Sequence, residues 1–249
     1  MNFIDALNLP SSCLQKRKIP LKKLYEQCTL VQKKLIEKHV STLTLVALIN
    51  EENSRIKEYS DSKDNYQAIF ILEISAKLFP LPNDLYQLIH SLFPYPTILV
   101  CEKEDKTQLS SSLKRINLVN SEKTTLESTY VSPDLRKFDN LDNYFKQLDY
   151  RIIRVLNLKE YYHLISNLIQ LSQMITDYEV YPSLNVSTHK VLEMIEQIKA
   201  IKLNISAYDT LYKRENNLSR RMDIHMKIQE EKNKLSDLNK KVMEDLCQI

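Results

Sequence analysis

Glu73, Ser75 and Lys77 occupy alternate positions in an apolar, β-branched stretch that runs from Gln67 to Lys77. In a strand, alternate residues share a face, so the three would share one with Ile69 and Ile71. That face turns from apolar to charged toward the carboxyl end of the strand, where open α/β sheets bind their ligands. The chemistry open to such a set is metal-dependent phosphodiester hydrolysis: carboxylates hold Mg²⁺ and the lysine aids the attacking water. Asp64 or Asp61 could supply the second acid. Restriction-type nucleases set the lysine two residues after the acid, and here Ser75 fills that place. An ordinary strand-end surface pair of Glu73 and Lys77 is therefore the simpler reading, and a divergent Mg²⁺-dependent nuclease the alternative.

A second set could contact phosphate. Lys213, Arg214, Arg220 and Arg221 cluster late in the chain, and lysine and arginine neutralise a nucleic-acid backbone. Lys16-Arg17-Lys18, Lys22-Lys23 and Lys33-Lys34 cluster early. Solvated helix faces would give the same pattern, and the net charge of +3 is too small to name nucleic acid as the partner by itself. Tyr161-Tyr162 could stack on bases, but with 14 tyrosines a pair is expected by chance.

The remaining reactive residues carry less. His39 lies on an apolar helix face and reads as a packing residue. His90, His163, His189 and His225 have no zinc-like spacing. Cys13, Cys28, Cys101 and Cys247 have neither metal nor redox spacing and read as free thiols of a reducing cytoplasm. No metal site and no cofactor is expected. The chain has no glycine, and a P-loop, a dinucleotide turn and the usual nucleophile elbow all need it. Turns fall instead on Asn, Asp, Ser and Pro. Abundant Lys, Asn and Ile fit an AT-rich coding bias. No apolar run has the length of a membrane span, and Met1 to Asp5 does not open a signal peptide.

The elements that must position these residues follow from periodicity. Residues 1–18 read as a polar leader. An α/β core is expected over 19–133, a helical region over 134–186, and a long helix or helical hairpin over 187–249. Leu21, Leu24 and Tyr25 mark one short helix, and Val31, Leu35 and Ile36 another. Leu43, Leu45, Ala47 and Ile49 alternate as in a strand. Asn50 to Asn65 reads as an exposed excursion. The strand at Ala68 is followed by Pro82, Asn83 and Asp84, a helix start, then by Leu85, Leu88 and Ile89 at helical spacing. Pro94 and Pro96 precede a second buried strand, Thr97 to Cys101. This is a βαβ unit with parallel strands. Leu109 and Leu113, then Leu126 and Tyr130, mark half-exposed antiparallel additions. The expected fold is α+β, a mixed five-stranded sheet followed by a helical half. Its tail, free of proline and glycine from His189 to Cys247, reads as a coiled-coil-like helix. Ile228, Leu235, Leu238 and Val242 form its apolar stripe, interrupted at Glu231 and Asp245.

Two stretches together carry a resemblance. Lys18-Ile19-Pro20-Leu21-Lys22-Lys23-Leu24-Tyr25 before the αβ core, and Leu211-Tyr212-Lys213-Arg214-Glu215-Asn216-Asn217-Leu218-Ser219-Arg220-Arg221-Met222 running on to Leu238, resemble the opening and closing segments of an uncharacterised prokaryotic domain-of-unknown-function family. The resemblance implies a genomic setting beside helicase and DNA-methyltransferase genes in restriction-like phage-defence islands. It brings no catalytic motif.

These readings lead to the expectation of a cytoplasmic, non-catalytic accessory subunit of such a system. Its tail stripe would dock a protein partner, a helicase, a methyltransferase or a second copy. Its late basic cluster would touch DNA, and no membrane would be involved.

Overall fold

In the computed structural model, which describes residues 3–117, 124–139, 141–183 and 188–246, the chain divides into two units, Met1–Asp177 and Tyr178–Ile249. The first opens with α1 (Phe3–Ala6), β1 (Leu14–Ile19), α2 (Leu21–Tyr25) and α3 (Leu30–His39). Next come β2 (Val40–Asn50), α4 (Glu51–Ser54) and a small ribbon of β3 (Tyr59–Ser60) with β4 (Asn65–Tyr66). The core is β5 (Ala68–Ala76), α5 (Asn83–Ser91) and β6 (Thr97–Lys103). After it come β7 (Lys106–Ile116), β8 (Thr124–Val131), α6 (Leu141–Lys146), α7 (Leu158–Leu171) and α8 (Gln173–Tyr178). The second unit holds α9 (Thr188–Arg214) and α10 (Leu218–Leu246).

The βαβ unit forms where its periodicity requires. β5 and β6 pair in parallel, and every other neighbour in the main sheet is antiparallel. Pro82 caps α5 in extended geometry and Asp84 lies in its first turn. Leu85, Leu88 and Ile89 bury their shared stripe against Leu72, Ile74, Leu99 and Cys101. Each such side chain gains roughly 1.5–3 kcal/mol on full burial. On the opposite face, the Tyr162 hydroxyl of α7 donates to the Ser112 carbonyl (2.6 Å) and accepts from the Ser112 amide (2.9 Å).

The sheet has six strands in the order β1-β2-β5-β6-β7-β8, not five. The extra one is β1, a basic strand with an almost fully exposed sequence. An edge strand tolerates this, because lysine and arginine there discourage pairing with other chains. Of the expected leader over 1–18, the described residues 3–18 are therefore not loose. Phe3, Ala6, Leu7 and Cys13 are buried. The Leu7 carbonyl accepts from the Tyr150 amide at 2.8 Å, and Asn8 donates to the Asp149 carboxylate at 2.9 Å. Left-handed backbone is made without glycine: Asn8, Lys16 at the β1 irregularity, Arg55, Glu104 and Glu179 all have φ between 44° and 58°.

The tail is not one long helix. It breaks at Glu215–Asn217, where the Asn217 side chain accepts from the Arg220 amide (3.2 Å) and Glu215 accepts from the Asn217 amide (2.8 Å). Asn217 thus caps α10 as Asn does at many helix starts. Lys190 faces Asp245 (2.9 Å), Asn204 faces Glu231 (3.5 Å), and Lys227 lies over the Tyr208 ring. Steps up one helix match equal steps down the other, so the second unit is an antiparallel hairpin.

Candidate functional site

The residues first singled out for hydrolysis are not gathered. Glu73 is half-buried on the face shared with Ile69, Ile71 and Ser75. Burial, then the charge of Glu102 on β6, pushes its carboxyl above the usual range. Ser75 Oγ accepts from Thr42 Oγ1 (2.9 Å). β5 ends at Ala76, so Lys77 leaves the strand before it can share that face. Its amide donates to the His39 carbonyl and its ammonium to the Glu37 carbonyl, each at 2.7 Å. A cation there is favourable, since the carboxyl end of α3 is its negative pole. Asp64 sits at the other end of β5, where the Lys159 ammonium of α7 holds it at 2.5 Å. Asp61 accepts from the Tyr59 hydroxyl and from the Lys63 and Asp64 amides, which hold its carboxyl down to about 2. Among the described residues, no group of three or more His, Cys, Asp or Glu side chains could hold a metal ion.

The late basic residues are gathered. Lys213 and Arg214 end α9, and Arg220 and Arg221 fall in the first turn of α10, so the break brings all four to the tip of the hairpin. All are exposed, and among the described residues none is in an ion pair. The Arg221 guanidinium lies over the Tyr212 ring at 4.5 Å, and the Tyr212 and His225 rings are 5.9 Å apart. Tyr212, Leu218, Arg221, Met222 and His225 line an open groove of about 310 Å³. Lys213 and Arg214 complement the negative end of α9. Arg220 and Arg221 do the reverse, placing cations at the positive end of α10, whose first turn has no acid. Such a placement costs roughly 0.3–1 kcal/mol per charge and makes the tip an anion-attracting point.

The tail stripe lies differently from its expected role. Ile228 and Val242 are buried, and Leu235 and Leu238 are half-buried. They share 3-4 spacing with Glu231 and Asp245, the residues of α10 that pair with α9. The partner helix for this stripe is α9 of the same chain. Glu231 interrupts the seam without harm because Lys234 (2.7 Å) and Asn204 satisfy it.

One titratable pair escaped sequence reasoning. Lys114 on β7 is buried and donates to the carbonyls of Phe93 and Tyr95, both at 2.8 Å. Burial lowers its ammonium to about 7. Burial, then the nearby Lys114 charge, holds His90 neutral, with Nε2 3.0 Å from Ser110 Oγ. Lys114 thereby satisfies two carbonyls of the connection between α5 and β6. The Leu113–Lys114 bulge shifts the alternation there, which is why period-two reading could not place this lysine.

A mixed six-stranded sheet with helices on both faces, followed by a hairpin with a basic aromatic tip, defines an α+β protein whose gathered site is suited to anion contact. Residues 7–235 match the family model of a domain of unknown function, DUF4391, and the chain belongs to that family. No curated protein and no solved structure matches it.

Proposed function

We propose that the chain is a non-catalytic accessory subunit of a prokaryotic restriction-like or anti-phage defence system that engages DNA through its hairpin tip. The observation that carries this reading is the meeting of Lys213, Arg214, Arg220 and Arg221 at one turn, two of them against the dipole of their own helix. Tyr212 and Arg221 add a stacking surface of the kind that tolerates any base. The apolar side chains left exposed on the hairpin, Leu203, Leu211, Leu218, Met222 and Met226, offer contact to a protein partner. A helicase or a methyltransferase is the expected one, from the gene setting that the sequence resemblance implies.

The test replaces all four basic residues by glutamine in the full chain and titrates salt against a fluorescent duplex. Four phosphate contacts contribute roughly −3.6 to the slope of log affinity on log salt. The variant should lose that share and weaken all sequences about equally. Unchanged affinity and slope would remove the tip from DNA contact. Co-purification of the tagged chain from its native host tests the assembly role. Recovery of neither enzyme would sink it.

A further inference from the structure

The first unit carries a charged surface that the hairpin does not explain. Between Leu14 and Lys38 there are eight basic residues against Glu26 and Glu37, a net charge of +6 where the whole chain has only +3. The rest of the chain is therefore net acidic, and the net excess of positive charge falls on the segment of three consecutive elements, β1, α2 and α3. Lys16, Arg17 and Lys18 are all exposed on β1, the outermost strand of the sheet. Edge protection would account for these three. It does not account for Lys22 and Lys23 on α2 or for Lys34 and Lys38 on α3, which are also exposed and lie on helices with no edge to guard.

The geometry joins these groups. Arg17 pairs in register with Leu45, and Ile19 with Leu43. Leu43, Leu45 and Ile19 all pack into the core cluster that holds Leu24, Tyr25 and Ile36. Arg17 therefore projects on the sheet face covered by α2 and α3. The Lys33 ammonium lies over the Tyr25 ring at 5.3 Å, which ties the first turns of α3 to the end of α2. Among the described residues, Lys33–Glu37 at 3.8 Å is the one ion pair in the segment. A block of like charge held together by folding repels itself and favours a polyanion that releases counterions on binding.

We propose that β1, α2 and α3 form a second polyanion-binding surface, centred on Arg17, Lys22, Lys23 and Lys34, and that its occupant is the phosphate backbone of a nucleic acid. A repeating phosphate chain matches cations spread along a strand and two helices better than a single small anion does. The proposal stands independently of the tip. The chain would then hold nucleic acid through both of its units.

The experiment uses the full chain in four forms: wild type, Arg17→Gln/Lys22→Gln/Lys23→Gln/Lys34→Gln, the tip quadruple variant, and both combined. All substituted side chains are exposed, and thermal unfolding confirms that each form folds. The probes are a fluorescent mixed-sequence duplex and vesicles of phosphatidylserine with phosphatidylcholine. The surface variant should flatten the salt slope by roughly 3.6 for four contacts, so that a fourfold rise in salt penalises the wild type about 150-fold more than the variant. It should do so on the tip-variant background as well. Loss confined to the tip variant would overturn the second surface and keep the tip. Loss confined to the surface variant would do the opposite. Unchanged duplex binding by the surface variant, with vesicle binding abolished, would show a lipid-facing surface and overturn the proposal. So would a wild type that binds no duplex at all.

Discussion

Lys190 and Asp245 stand 2.9 Å apart although 55 residues separate them in the chain. Lys190 is exposed and Asp245 is partly buried; a pair open to water on one side contributes little to stability, but it fixes the register of α9 against α10. Spin labels at Lys202 and Lys232 should therefore report a short distance, set by helix axes about 8–10 Å apart plus the label arms. An uninterrupted helix would separate the two sites by roughly 45 Å at 1.5 Å per residue. A long distance would mean that the break at Glu215–Asn217 does not hold in solution.

Ile71 has no exposed surface at the centre of β5. Ile71→Asp should abolish cooperative folding of the first unit, because an unpaired buried charge is heavily penalised. Ile71→Ala should fold but lose about 2–5 kcal/mol. Denaturant titration followed by circular dichroism measures both. A native-like midpoint for the aspartate variant would contradict the placement of this strand.

Lys114 predicts a pH dependence. Its folded-state ammonium is lowered by burial to about 7, from an ordinary 10.5. Between those values the unfolded chain holds a proton that the folded chain has shed, so stability contributed by this site rises with pH across that window. Buried Cys13 and Cys101, each raised by burial to about 11, act in the opposite sense above pH 9. The comparison with Lys114→Met isolates the lysine. The variant should lose the rising component between about pH 7 and 10, at the expense of two hydrogen bonds to Phe93 and Tyr95. Parallel stability curves for the two proteins would show that Lys114 is not buried as described.

The dispersal of Glu73, Lys77 and Asp64 over three neighbourhoods predicts no cleavage of single- or double-stranded DNA with Mg²⁺ or Mn²⁺. A gel assay on the purified chain checks it. Cleavage that Glu73→Gln eliminates would reverse the conclusion.

The buried parts of the fold could be read directly. β5, α5 and β6 announce themselves because a βαβ core leaves no freedom: apolar run, capped amphipathic turn, apolar run. β1 was missed for the converse reason. An edge strand with little to bury shows no hydrophobic alternation, so Lys16-Arg17-Lys18 looks like a solvated leader until the Leu45 and Thr44 partners are seen. The hairpin break has no proline or glycine to mark it, only Asn216-Asn217. The basic residues at the tip were legible as types, but their convergence depends on that turn. Tyr212 and Arg221, nine positions apart, meet only across it. The helical region expected over 134–186 is also interrupted: α6 ends at Lys146, and Asp149 to Arg151 instead form the irregular clasp that holds the amino-terminal segment.

The five left-handed residues suggest a use in protein engineering. A non-glycine residue in that region is strained by roughly 1–2 kcal/mol, with asparagine the better-tolerated exception, which leaves Lys16, Arg55, Glu104 and Glu179 as the four to change. Glycine at any of these four would relieve the strain, offset in part by its greater freedom when unfolded. A gain near 1 kcal/mol would raise the melting temperature by roughly 2–4 °C in a chain of this size. A chain without a single glycine carries that composition in its backbone dihedral angles, and single substitutions can reverse it.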